Sequence, residues 1–148
     1  MFDIIKIGGV VKYTLRGPDG KIKETKKVKN LITNAGFDAI CDVIGNTVQP
    51  NDFAWTAVGT GTTAANVADT ALETELGTRS TNTYAHSVGT KVFTATITYG
   101  AGVNTGAITE SGLLNASTGG TLLNRQVFAA INKGAADSLE IEWSINLS

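Results

Sequence analysis

The sequence predicts a mainly β protein, an antiparallel β-sandwich or jelly roll of about eight strands with one short helix. Three observations lead there. The last third reads as three strand runs, Ile108–Leu114, Leu122–Ile131 and Ser138–Leu147, with small polar residues between them. In the last run Leu139, Ile141, Trp143, Ile145 and Leu147 alternate with Glu140, Glu142, Ser144 and Asn146, the period of a strand with one buried face. Composition agrees: 17 Gly and only 2 Pro suit tight turns, and the threonine-rich middle of the chain suits a pleated surface.

The elements follow in order. Phe2 to Leu15 is a strand region carrying Ile4, Ile5, Ile7, Val10, Val11, Tyr13 and Leu15, with a bulge or bend expected at Gly8-Gly9. Gly17-Pro18-Asp19-Gly20 is a turn, because Pro presets φ and Gly accepts a positive one. Lys21 to Lys29 returns as the second strand of a hairpin with a lysine-rich face. Asn34 to Ile44 is the helix, capped by Thr33 or Asn34, with Phe37, Ile40, Cys41 and Ile44 on one apolar face and Gly45-Asn46 closing it. Cys41 on that face reads as a buried, inert thiol. Phe53 to Val58 is a short core strand, and Ala64 to Leu76 a solvated loop or short helix. Arg79–Val88 and Lys91–Tyr99 pair about a turn at Gly89, and the loop 100–106 leads into the final three strands. Trp55, Phe93, Phe128, Leu139, Ile141 and Trp143 are the expected core.

A chain of 148 residues forms one domain with room for a hydrophobic core. Within it, residues 1–28 read as a basic N-terminal hairpin or arm and residues 29–148 as the sandwich. The net charge of −1 gives no overall field toward nucleic acid or membrane, and no apolar run approaches the roughly 20 residues of a membrane span. The N-terminus shows no signal-peptide pattern. Charge is nevertheless segregated: residues 1–30 hold eight basic side chains (Lys6, Lys12, Arg16, Lys21, Lys23, Lys26, Lys27, Lys29) against three acidic ones (Asp3, Asp19, Glu24). Lysines on an edge strand discourage edge-to-edge pairing, and they equally suit an acidic partner.

Chemistry-bearing motifs are sparse. A single Cys gives neither a disulfide nor a cysteine-based zinc site. Gly59-Thr60-Gly61 lacks the Gly-Lys-Ser/Thr ending of a phosphate loop, and Asp69, Glu73 and Glu75 fit no calcium-loop spacing. One His, one Cys and dispersed carboxylates offer no base–nucleophile pair, so no catalytic residue, cofactor or metal ligand is assigned.

The runs Lys29-Asn30-Leu31-Ile32-Thr33-Asn34-Ala35-Gly36-Phe37-Asp38, Ala57-Val58-Gly59-Thr60-Gly61-Thr62-Thr63-Ala64 and Asp69-Thr70-Ala71-Leu72 open an ordered series. It continues through Glu75-Leu76, Phe93-Thr94-Ala95-Thr96, Ile108-Thr109-Glu110-Ser111-Gly112-Leu113 and Gly119-Gly120-Thr121-Leu122-Leu123-Asn124-Arg125. It closes with Val127-Phe128, Ile131-Asn132-Lys133 and Leu139-Glu140-Ile141-Glu142-Trp143. Over roughly residues 29–148 the chain resembles small structural proteins of tailed bacteriophage virions. That resemblance implies a capsid decoration (cement) protein bridging shell subunits, the alternative being a tail or tail-fibre-associated module that contacts the host surface through loops 60–70 and 100–106. It implies the major capsid protein or another virion protein as partner, a homo-oligomer (trimer before dimer), and a virion location after assembly in the bacterial cytoplasm. The expected partner-binding residues are Ile4, Ile5, Lys6, Ile7, Lys12, Lys21, Lys23, Lys26 and Lys27. Nucleic acid and membrane are not expected partners.

Overall fold

The structure, a computed structural model, describes residues 4–148. Phe2 and Asp3, which the sequence reading places in the first strand region and the basic segment, lie outside those residues. The chain order is β1 (Ile7–Arg16), β2 (Ile22–Lys29), α1 (Asn34–Gly45), β3 (Trp55–Gly59), β4 (Ser80–Thr81), β5 (Thr83–His86), β6 (Val92–Tyr99), β7 (Gly106–Leu114), β8 (Leu122–Lys133) and β9 (Ser138–Leu147). Two antiparallel sheets pack as a sandwich, one ordered β2-β1-β9-β6-β5 and the other β4-β3-β7-β8.

The β1–β2 hairpin turns where expected, with Gly20 at φ +78° and its amide donating to the Gly17 carbonyl at 2.9 Å. Within the described part of the segment 1–28, however, β1 and β2 are strands of the first sheet. β1 lies between β2 and β9, and its inward residues Val11, Tyr13 and Leu15 are buried in the common core. The physical reason is pairing length: β1 matches β9 over ten consecutive positions, from Ile7 against Leu147 to Arg16 against Ser138. Gly8-Gly9 forms no bulge in that ladder. Gly9, at φ +151°, instead lets the neighbouring strand approach, since a Cβ there meets the Ser144 carbonyl oxygen. The register shift falls between Leu15 and Arg16, against β2.

The alternation read in β9 is the alternation of its burial. Leu139, Ile141, Trp143 and Ile145 are buried, and the core is completed by Ala95 and Tyr99 of β6, Val58 of β3, Ile108 and Leu113 of β7, and Leu123 and Ile131 of β8. Burying a side chain of this size stabilises by about 1.5–3 kcal/mol. Trp55, Phe93 and Phe128 are only half-buried and pack at the margins. Polar tips of the buried aromatics bridge the sheets. The Trp143 Nε1–H donates to Thr56 Oγ1 at 3.0 Å, the Tyr99 hydroxyl donates to the Thr56 carbonyl at 2.6 Å, and Tyr13 and Ser111 share a 2.6 Å hydrogen bond.

Thr33 caps α1, its Oγ1 accepting from the Gly36 amide at 3.0 Å while donating to the Leu122 carbonyl at 2.6 Å. This tie turns the helix. Gly36 and Ala39 face the sandwich, whereas Phe37, Cys41 and Ile44 are exposed, so the expected apolar face and the buried thiol are both corrected. Gly36 permits the contact: a Cβ there comes within 2.4 Å of the Leu123 carbonyl oxygen. The expected strand 79–88 is split at Asn82, where the chain leaves one sheet (β4, paired with β3) for the other (β5, paired with β6).

Candidate partner-binding surface

Two local constructions dominate outside the core, one internal and one at the surface. The internal one holds the segment 60–79 on the outer face of the second sheet. Glu110 of β7, with no exposed surface, accepts from the amides of Gly61 (3.0 Å), Glu73 (3.0 Å) and Thr74 (2.7 Å). The Arg125 guanidinium of β8 lies 2.8 Å from Glu110, 2.9 Å from Asp69 and 3.5 Å from Glu73. Burial by itself pulls the Arg125 pKa down; the hydrogen bonds that its guanidinium donates to Asp69 and Glu110 more than reverse it, and the net shift is upward. The Glu73 carboxyl is held below its ordinary value, chiefly by the amide and then the hydroxyl of Thr63. Leu72 is thereby pressed onto Ala57, Leu114 and Leu122, a second small apolar cluster. The acids weighed as calcium ligands are thus occupied by arginines, Asp69 and Glu73 by Arg125 and Glu75 by Arg79 at 2.7 Å. Among the described residues, no group of three or more His, Cys, Asp or Glu side chains is arranged to hold a metal ion.

The surface construction is the end of the sandwich where β1 begins and β9 finishes. Lys6 and Ser148 exchange backbone hydrogen bonds of 2.6 and 2.9 Å, and the Leu147 amide donates to the Lys91 carbonyl at 2.9 Å. Beside these strand ends a cleft of ≈ 140 Å³ opens between α1 and the two sheets. Its walls are Ile7, Leu147 and Ile145, then Phe93, then Phe53 and Leu123, with Ile40 and Val43 of α1. No polar surface lines it. Ile4 and Ile5 continue the apolar surface beyond Ile7, 74% and 64% exposed.

The expected partner-binding residues divide. Ile4, Ile5, Lys6 and Ile7 fall together at this end. Lys12 and Lys27 sit opposite one another on the outward face of the first sheet, with Glu142 next in the row. Lys21 lies beside the 17–20 turn, its amide donating to Asp19 Oδ1 at 3.0 Å. That turn is at the far end of β1, about 30 Å from Ile7 at strand rise. Lys23 and Lys26 are engaged within the fold. Lys23 pairs with Asp137 at 2.8 Å, and Lys26 donates to the Ala129 carbonyl, pairs with Glu24 at 3.4 Å and lies over the Phe128 ring. One compact footprint therefore cannot hold all nine.

Sequence reasoning missed the other walls of the cleft. Ile145 and Leu147 end the β9 alternation and Val43 belongs to α1, and only the gap between helix and sheets unites them. His86 ends β5 with Nδ1 2.7 Å from the Val92 carbonyl oxygen, and Cys41 lies exposed on α1. Comparison with protein-family models, curated proteins and solved structures finds no match to this chain.

Proposed function

We propose that this chain is a structural building block of a tailed-bacteriophage virion, a capsid decoration protein that docks on the shell and bridges its subunits. The observation that carries the reading is the apolar end of a stiff sandwich. Exposed Ile4 and Ile5 adjoin a wholly apolar cleft, with Lys6 and Lys91 on the adjoining strand ends. Apolar surface rimmed by polar groups marks protein–protein contact. The rest of the fold supports such a role, because cross-sheet hydrogen bonds and the Glu110–Arg125 latch fix its shape in advance of docking. The resemblance over residues 29–148 supplies the virion context. Self-association as a trimer, or failing that a dimer, belongs to the same proposal, and closed cyclic symmetry allows several copies to engage a symmetric shell at once.

Copy number in purified particles tests the reading. Hundreds of copies per particle mark a shell station, a few dozen or fewer mark the tail station, and absence from particles refutes both. Ile4→Asp/Ile5→Asp tests the docking end, since these exposed side chains leave the core intact. Occupancy on particles is expected to fall, and undiminished occupancy counts against docking through this end.

A further inference from the structure

We infer that a second cleft, beside β5, binds a quaternary ammonium group. It lies between the segment leading into β3 and the β5–β6 pair, and holds ≈ 190 Å³. Small residues leave the space. Ala95 of β6 stands directly across from Tyr84 of β5, and Ala54 lies on the facing segment, where its carbonyl accepts from the backbone amide of Asn82 at 2.7 Å. Three aromatic rings, Phe53, Tyr84 and Phe93, stand around it, the last two with centroids 5.6 Å apart. Asp52 is the one charged side chain in its walls, and among the described residues no basic side chain pairs with it.

These walls select by chemistry rather than by size. An anion meets Asp52 with no cation to balance it. A neutral apolar group strips water from that carboxylate and returns nothing for it. A sugar, a guanidinium or a primary ammonium needs several hydrogen-bond partners, and apart from Asp52 and the Tyr84 hydroxyl those of the walls are engaged or sealed. The Trp143 indole N–H can only donate, so Thr56 Oγ1 accepts from it at 3.0 Å and gives its own proton to Asn82 Oδ1 at 2.6 Å. Asn82 Nδ2, left without a partner, is closed off by the atoms around it. A quaternary ammonium asks for a carboxylate and ring faces and donates no N–H bond, which matches what the walls still offer.

The test titrates choline into the isotope-labelled full chain, beside 3,3-dimethylbutan-1-ol, which keeps the shape and replaces the charged nitrogen by carbon. Saturable amide shifts at Phe53, Tyr84 and Ala95 are expected with choline, and the neutral isostere is expected to bind on the order of tenfold more weakly. Tyr84→Phe is expected to keep binding, because the ring face and not the hydroxyl holds the cation. Tyr84→Leu and Asp52→Asn are each expected to weaken it on the order of tenfold. Both positions are exposed, and an unchanged melting temperature verifies that these variants keep the fold. Glycerophosphocholine and acetyl-trimethyllysine-methylamide carry the same group on a lipid headgroup and on a modified protein, and the tighter binder of the two names its source. Equal affinity for choline and its neutral isostere, undiminished binding in Tyr84→Leu or Asp52→Asn, shifts confined to other surfaces, or no saturation overturns the inference. Binding of methyl glucoside in preference to choline assigns the cleft to a sugar and likewise overturns it. None of these results depends on copy number in particles, so the inference and the virion reading fail separately.

Discussion

Glu110→Ala is the perturbation that most directly probes how the long segment 60–79 is held. The carboxylate has no exposed surface and binds four partners, the amides of Gly61, Glu73 and Thr74 and the Arg125 guanidinium at 2.8 Å. Removing one partner of a buried ion pair costs about 3–5 kcal/mol, because the remaining charge stays buried. Three orphaned amides add to that loss, each by about 1–3 kcal/mol if they stay dry. Arg125 keeps Asp69 at 2.9 Å, and the freed segment can relax and admit water, which offsets part of both terms. The expected net loss is about 4 kcal/mol. At about 2–4 °C per kcal/mol for a chain of this length, the melting temperature drops by about 8–16 °C. Calorimetry reads the shift, and hydrogen exchange at the Gly61 and Thr74 amides reads its location. Removing both charges with Glu110→Ala/Arg125→Met should recover part of the loss, since no uncompensated ion is then left inside. A melting temperature within about 1 °C of the parent, with Thr74 still protected, refutes the latch.

Three further outcomes are expected. Trp143→Ala should cost about 3–5 kcal/mol in a urea titration, since the indole is fully buried and bonded to Thr56; an unchanged midpoint contradicts the core described here. Gly36→Ala should destabilise by about 1–3 kcal/mol through the clash with the Leu123 carbonyl, opposite in sign to the gain of about 1 kcal/mol that helix propensity alone gives. The Asp137 carboxyl is held below its ordinary value, first by its hydrogen bond with Lys23 and then by the Gly134 amide. Its contribution is present at neutral pH, above the unfolded carboxylate value of about 4, and disappears as pH falls through the lowered folded value. Urea midpoints at neutral and acid pH should accordingly converge in Asp137→Asn relative to the parent.

Local pattern carried the reading of single elements. The 17–20 turn, the helix beginning at its Thr33 cap and the alternation of β9 each depend on residues a few positions apart, whose side-chain geometry repeats with the backbone. Pairing partners are different. β1 meets β9 across almost the whole chain, and nothing within either strand selects that neighbour over β6 or β8. The basic residues of the first segment suggested an arm because charge is visible along the sequence. The inward row Val11, Tyr13, Leu15 belongs to the core because β9 closes over the same sheet.

The candidate site divides in the same way. Ile4, Ile5 and Ile7 were legible as an apolar run beside lysines, and composition fixed the mainly β class and the segregation of basic charge. Tertiary structure decided which lysines remain available, by pairing Lys23 with Asp137 and laying Lys26 over Phe128 while leaving Lys6 and Lys91 exposed at the strand ends. It also turned α1 so that Gly36 and Ala39 pack inward and Cys41 faces out, and it buried Glu110 and Arg125 to anchor a segment with no period of its own. The division has one physical cause. A strand or turn is favoured by interactions among sequence neighbours, whereas a face becomes buried or a charge becomes paired only through groups brought from distant parts of the chain.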